Sequence, residues 1–73
     1  MRIGAAEDND LRLVVRGVSR HHARITRDGN AYWLEDAGST NGTVVNGAVV
    51  RSRERLQFGD ELAIGRVALR LEQ

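Results

Sequence analysis

Two short stretches carry most of the residues capable of chemistry. GVSRHHARI (residues 17–25) puts Ser19, Arg20, His21 and His22 in succession, and DAGSTNGTVVNG (residues 36–47) sets hydroxyl, amide and carboxylate side chains among three glycines. Ser19, His22 and Asp36 are the residue types of a nucleophile–base–orienter triad. No nucleophile-elbow glycine pattern surrounds Ser19, so no catalysis is expected. His21 and His22 are metal-ligand types, but neighbours on a strand point to opposite faces. With no cysteine and no third histidine, no metal site is expected. EDND (residues 7–10) lacks the glycine and the distal glutamate of a calcium loop and reads as a solvated turn. The Asn41-Gly42-Thr43 sequon is read as incidental, and Tyr32 and Trp33 as hairpin packing residues rather than a ligand platform.

Polar loops of this kind need a rigid scaffold to hold them. The glycines fall at turn-like intervals, and between them run short segments of period-two alternation, the mark of half-buried strands. LRLVV (residues 11–15), HARIT (residues 22–26) and AYWLED (residues 31–36) are the first three, with Asp28-Gly29 as a hairpin turn signal between the last two. TVV and AVV flank Asn46-Gly47, a second hairpin signal. A turn follows at Gly59-Asp60, and Gly65-Arg66 joins the last two strands. No segment carries a useful 3.6-residue period. Many short strands separated by close turns predict an all-β sandwich or barrel. The expected core is Leu11, Leu13, Ile25, Trp33, Val44, Leu56, Leu62, Ile64, Val67 and Leu69.

Composition narrows the function classes. A chain of 73 residues suits a single domain. No apolar run approaches the roughly 20 residues of a membrane span, and the start has no signal-like apolar stretch, so a cytoplasmic protein without membrane contact is the default expectation. Cysteine is absent, which removes disulfides and thiolate ligands together. All eleven basic residues are arginine, yet the net charge is only +1 because Asp and Glu alternate with them. Without a clustered basic excess, nucleic acid is not expected as a partner.

GVSRHHARI, DAGSTNGTVVNG and the downstream FGDELAIG together resemble the forkhead-associated (FHA) domain. The resemblance lies in Ser19-x-x-His22, then Ser39-Thr40-Asn41-Gly42, then Gly59-Asp60, in the family's order and spacing, and it covers nearly the whole chain. It implies a two-sheet β-sandwich of eleven strands, with recognition loops at one end and binding of phosphothreonine peptides as the activity. The implied contacts are a hydroxyl and a loop N–H from Ser19, a guanidinium from Arg20, Thr40 lining the pocket, and Asn41 on the peptide backbone. Gly4, His22 and Gly42 are implied as scaffold, the His22 ring fixing the loop through neighbouring backbone. The implied partners are phosphothreonine-containing proteins or peptides, Ser/Thr kinases or their substrates among them, with no cofactor. In this family the residue three places after the phosphothreonine often sets preference, but Gly17 offers no side chain to read it.

Two departures from the family pattern bear on these expectations. The opening motif normally reads Ile-Gly-Arg and its arginine is a main phosphate contact; here it is Ile3-Gly4-Ala5. Losing one charge-assisted bond of that type costs about 1.5–3 kcal/mol. Arg20 is the nearest substitute, since Arg2 would point away from the face of Ile3. The match also begins at this motif, so the domain over residues 1–73 is expected to be N-terminally short by two strands. The open edge this leaves would favour marginal stability or self-association. Ala5 favours a rival reading, a degenerate structural or oligomerisation module without phosphate recognition. Ser19, Thr40 and Asn41 favour phosphopeptide binding.

Overall fold

The computed structural model describes residues 1–73 as nine strands and no helix: β1 (Arg2–Gly4), β2 (Leu11–Arg12), β3 (Ala23–Asp28), β4 (Ala31–Asp36), β5 (Thr43–Val45), β6 (Ala48–Val49), β7 (Arg53–Leu56), β8 (Glu61–Ile64) and β9 (Val67–Arg70). One sheet has the order β2-β1-β3-β4-β7 and the other β6-β5-β8-β9. The fold is thus a two-sheet β-sandwich. No helix long and apolar enough to cross a membrane is present.

The β3–β4 hairpin is the backbone of the first sheet. Its two-residue loop is Gly29-Asn30, and the register pairs Ile25 with Leu34 and Thr26 with Trp33. Since side chains alternate between faces, Ala23, Ile25 and Leu34 face inward together and Trp33 faces out. The expectation of Trp33 as core is therefore corrected: Leu34 is fully buried, and Trp33 lies under the Arg53 guanidinium, 4.1 Å from the ring centroid. In the second sheet Thr43 and Val45 pair with Ile64 and Leu62, so Val45 is the inward valine and Val44 is not. The Asn46-Gly47 turn takes positive φ at both residues (47° and 84°), the geometry of a type I′ hairpin.

Ile3, Ala23, Ile25, Leu34 and Leu56 from one sheet meet Val45, Leu62 and Ile64 from the other, with Val50 closing the cluster. Fully burying an aliphatic side chain contributes about 1.5–3 kcal/mol, so this cluster is the main source of stability. Leu11, Leu13 and Leu69 pack against it half-buried, and Val67 is half-buried as well. The expected strand over residues 11–15 is cut short. β2 ends at Arg12, and Val14 and Val15 are 70% and 46% exposed in the β2–β3 loop.

Candidate functional site

The polar loop between β4 and β5 is organised by one carboxylate. Asp36 Oδ2 accepts the backbone N–H groups of Gly38 and Ser39, both at 2.9 Å. Asp36 Oδ1 accepts the Ser39 and Thr43 hydroxyls, the latter at 2.6 Å. Ser39 Oγ in turn accepts the Gly42 N–H at 3.0 Å. Burial pushes the Asp36 carboxyl up, but the hydrogen bonds from Ser39, Thr43 and Gly38 outweigh it and hold the pKa at about 2. With its interior satisfied in this way, the loop turns Thr40 and Asn41 out to solvent.

His22 fastens this loop to the one before β3. The ring is fully buried. Its Nδ1 accepts the Ser19 N–H at 3.0 Å and its Nε2 donates to the Gly42 carbonyl at 2.7 Å. Both ring nitrogens are thus taken by backbone, and the Asp36 carboxylate is taken by its own loop. No Ser19–His22–Asp36 relay is assembled. The Ser19 N–H, expected to face a ligand, is instead spent on the ring. The Ser19 hydroxyl takes a different course: Oγ accepts the Thr40 N–H at 3.0 Å, which leaves its own proton uncommitted within the fold.

Asn41 has a partner within the fold. Its Nδ2 donates to the Gly17 carbonyl at 2.9 Å, leaving one N–H and Oδ1 unengaged. That carbonyl also lies against Gly65 in the β8–β9 turn, where a Cβ would sit 2.4 Å from it. Glycine is required at residue 65 because the obstacle is backbone and cannot swing aside.

The β1–β2 loop forms the third wall. The N–H groups of Ala5 and Ala6 donate to the carbonyls of Ser19 and Arg20, each at 3.0 Å. Gly4 is pressed so closely to this segment that a Cβ would lie 2.2 Å from the Arg20 carbonyl. Asn9 Nδ2 donates to that same carbonyl at 2.7 Å. Beside the loop opens a polar cleft of about 460 Å³ whose lining includes Ala5, Arg12, Arg20 and His21, together with Glu7 and Asp8. His21 Nε2 bonds the Asp8 carboxylate at 3.0 Å, and this hydrogen bond is the main cause that lowers the Asp8 pKa.

Ser19, Arg20, Thr40 and Asn41 therefore come together on adjacent loops, with Gly4, His22 and Gly42 beneath them. Three residues hold roles here that the sequence does not assign to them. Asp36 is the anchor of the loop, and its signal was an aspartate two residues before a glycine, the pattern of an Asx turn. Asn9 and Arg12 gave no signal, because their roles depend on the parallel pairing of β1 with β2.

Comparison with known proteins places this geometry. The model of the FHA domain matches residues 1–65. FHA domain-containing protein FhaB of Mycobacterium tuberculosis is 39% identical over 69 residues, which is 94% of this chain and 44% of that protein. The chain thus spans less than half the length of this curated relative. A solved structure described as a structural and functional analysis of phosphothreonine-dependent FHA domain interactions superposes with a TM-score of 0.92 at 39% identity, covering 99% of this chain and 74% of that one. Mycobacterium tuberculosis EmbR in complex with a low affinity phosphopeptide superposes with a TM-score of 0.93 at 38% identity, covering 97% of this chain and 19% of that one.

Proposed function

The chain belongs to the FHA domain family, and on that premise we propose that it is a non-catalytic module that binds phosphothreonine peptides and so recruits phosphorylated partner proteins in signalling. The observation that carries this reading is the Thr40 N–H to Ser19 Oγ bond. It ties the two recognition loops together and leaves the Ser19 hydroxyl proton uncommitted, in a loop shared with the exposed Arg20. A phosphothreonine brings a charge of about −1.5 to −2 and three acceptor oxygens. The Ser19 hydroxyl and the Arg20 guanidinium are donors of the kind such a group needs. The unengaged N–H and Oδ1 of Asn41 are suited to the peptide backbone beside it.

Ala5 supports a second reading, in which the module has lost phosphate recognition and serves a structural role. The two readings separate in a two-dimensional amide NMR titration with a degenerate phosphothreonine peptide library, an unphosphorylated library being the control. Phosphate-dependent shifts at Ser19, Arg20, Thr40 and Asn41, lost in Ser19→Ala and Asn41→Ala variants that keep a dispersed spectrum, are the expected result. Dispersed peaks indifferent to the phosphopeptides would replace this reading with the structural one.

A further inference from the structure

The guanidinium absent at residue 5 has a candidate replacement on the neighbouring strand. β1 and β2 pair in parallel with Gly4 opposite Arg12, which sets Arg12 beside the residue that follows Gly4. Arg12 Nε donates to the Ala5 carbonyl at 3.1 Å. This bond fixes the root of the side chain and leaves the four terminal N–H groups of the guanidinium without a partner. Ala5 contributes only a methyl, so the cleft of about 460 Å³ beside it stays open.

Arg20 lines the same cleft and follows Ser19 in the chain. The Arg12 and Arg20 guanidiniums are absent from all the ion pairs of the molecule, which join Arg2 to Asp8 and Asp10, His21 to Asp8, Arg24 to Glu35 and Arg70 to Glu61. Of the two carboxylates in the cleft, Asp8 is taken by His21 and Arg2, and only Glu7 is uncommitted. Two unneutralised guanidiniums thus face one cleft, and the cleft residue Ala5 is tied to the Ser19 segment by its N–H bond to the Ser19 carbonyl at 3.0 Å. A single carboxylate does not balance them, whereas a phosphate monoester dianion does.

We infer that Arg12 supplies, from β2, the guanidinium that residue 5 lacks, and that with Arg20 it grips the phosphate whose other oxygens meet Ser19 and Thr40. The inference rests on the phosphopeptide reading above and assigns Arg12 to its site. It also accounts for Ala5 without loss of function: an arginine at residue 5 would compete with Arg12 for the same space.

The test uses one phosphothreonine peptide drawn from the library, with binding followed by isothermal titration and by the arginine Nε–Hε NMR signals. The Arg12 signal is expected to shift together with the Ser19 and Thr40 amides. Arg12→Ala is expected to weaken binding about ten-fold or more, as for loss of one charge-assisted contact. Arg12→Lys is expected to restore part of it, since an ammonium keeps the charge without the bidentate fork. Ala5→Arg placed in the Arg12→Ala background is expected to recover most of the lost affinity, and in the Ser19→Ala background to recover little. Should Ser19 and Thr40 respond while Arg12 Nε stays unmoved, or Arg12→Ala bind within two-fold of the parent, the assignment of Arg12 is wrong and the phosphopeptide reading stands. Silence of all these signals toward the phosphopeptide would remove both.

Discussion

His22 Nε2 donates to the Gly42 carbonyl at 2.7 Å across twenty residues of chain, from inside a fully buried ring. The other ring nitrogen holds the Ser19 N–H. One imidazole therefore sets the separation between the loop that carries Ser19 and the loop that carries Thr40 and Asn41. Such a residue belongs to fold and site at once, because a buried polar group that loses its partner costs more than the bond it made.

His22→Ala should therefore lose both properties. It strands the Ser19 N–H and the Gly42 carbonyl and opens a void between the loops, at a cost of about 3 kcal/mol or more. Urea denaturation followed by circular dichroism is expected to show a midpoint well below that of the parent, and phosphopeptide binding should be lost with it. Ser19→Ala removes a half-buried hydroxyl and its bond from Thr40, but the exposed Thr40 N–H can turn to water, so the midpoint should fall far less than in His22→Ala. Equal midpoints for His22→Ala and the parent would refute the scaffold role.

Acid stability should report on Asp36. Its folded pKa of about 2 lies below the ordinary 3.8. A depressed carboxylate contributes stability that is complete above the unfolded pKa and is lost as pH falls through the folded one. Loss is thus expected between about pH 4 and pH 2, with Asp8, Asp10 and Asp60, whose pKa values are also lowered, acting in the same direction. Asp36→Asn cannot accept all four of the present hydrogen bonds, and should lower stability at neutral pH by about 2 kcal/mol while flattening the acid limb. Urea midpoints at several pH values check both, and an unchanged acid limb in the variant would place the dependence elsewhere.

The inward and outward faces of β4 give the clearest measure of what was legible in the sequence. The alternation and turn signals disclosed the hairpin, and a two-residue turn fixes parity. If the turn centre is Gly29-Asn30, Ile25 pairs with Leu34, as found. If it were Asp28-Gly29, Ile25 would pair with Tyr32, and Leu34 would still share that face. Trp33 has the opposite parity to Leu34 in either register, so the expectation of Trp33 in the core conflicts with the alternation of its own strand. The consequence is testable: Leu34→Ala should cost about 3–4 kcal/mol, and Trp33→Ala less than half of that, chiefly its contact with Arg53. Circular dichroism is the suitable probe, because Trp33 is the single tryptophan.

The loop residues were legible as motif and illegible as geometry. Ser19, Thr40 and Asn41 stood out by type and spacing, yet nothing in their order told that the Ser19 N–H goes to His22 or that Asn41 holds Gly17. Those partners lie three and twenty-four residues away, and only the packing of three loops brings them together. Arg12 was hidden for the same reason. Its proximity to Ala5 follows from a parallel pair two residues long, and a strand that short leaves no pattern.

Gly65 offers a test of whether that packing governs recognition from a distance. It has no side chain, and its backbone takes a positive φ of 59° against the Gly17 carbonyl. A Cβ at residue 65 would lie 2.4 Å from that oxygen, so Gly65→Ala must displace the β2–β3 loop or the turn. The displaced carbonyl is the one that Asn41 holds. Amide shifts are therefore expected at Gly17, Val18 and Asn41, with stability lowered by about 2 kcal/mol or more and phosphopeptide affinity reduced. Gly38→Ala is the control: its φ is also positive, at 85°, but a Cβ there meets nothing within 4 Å. It should incur only the backbone strain, about 1 kcal/mol, and leave the Gly17 and Asn41 amides in place. If Gly65→Ala matched Gly38→Ala in stability, spectrum and binding, the Gly17–Gly65 contact would have no part in shaping the site.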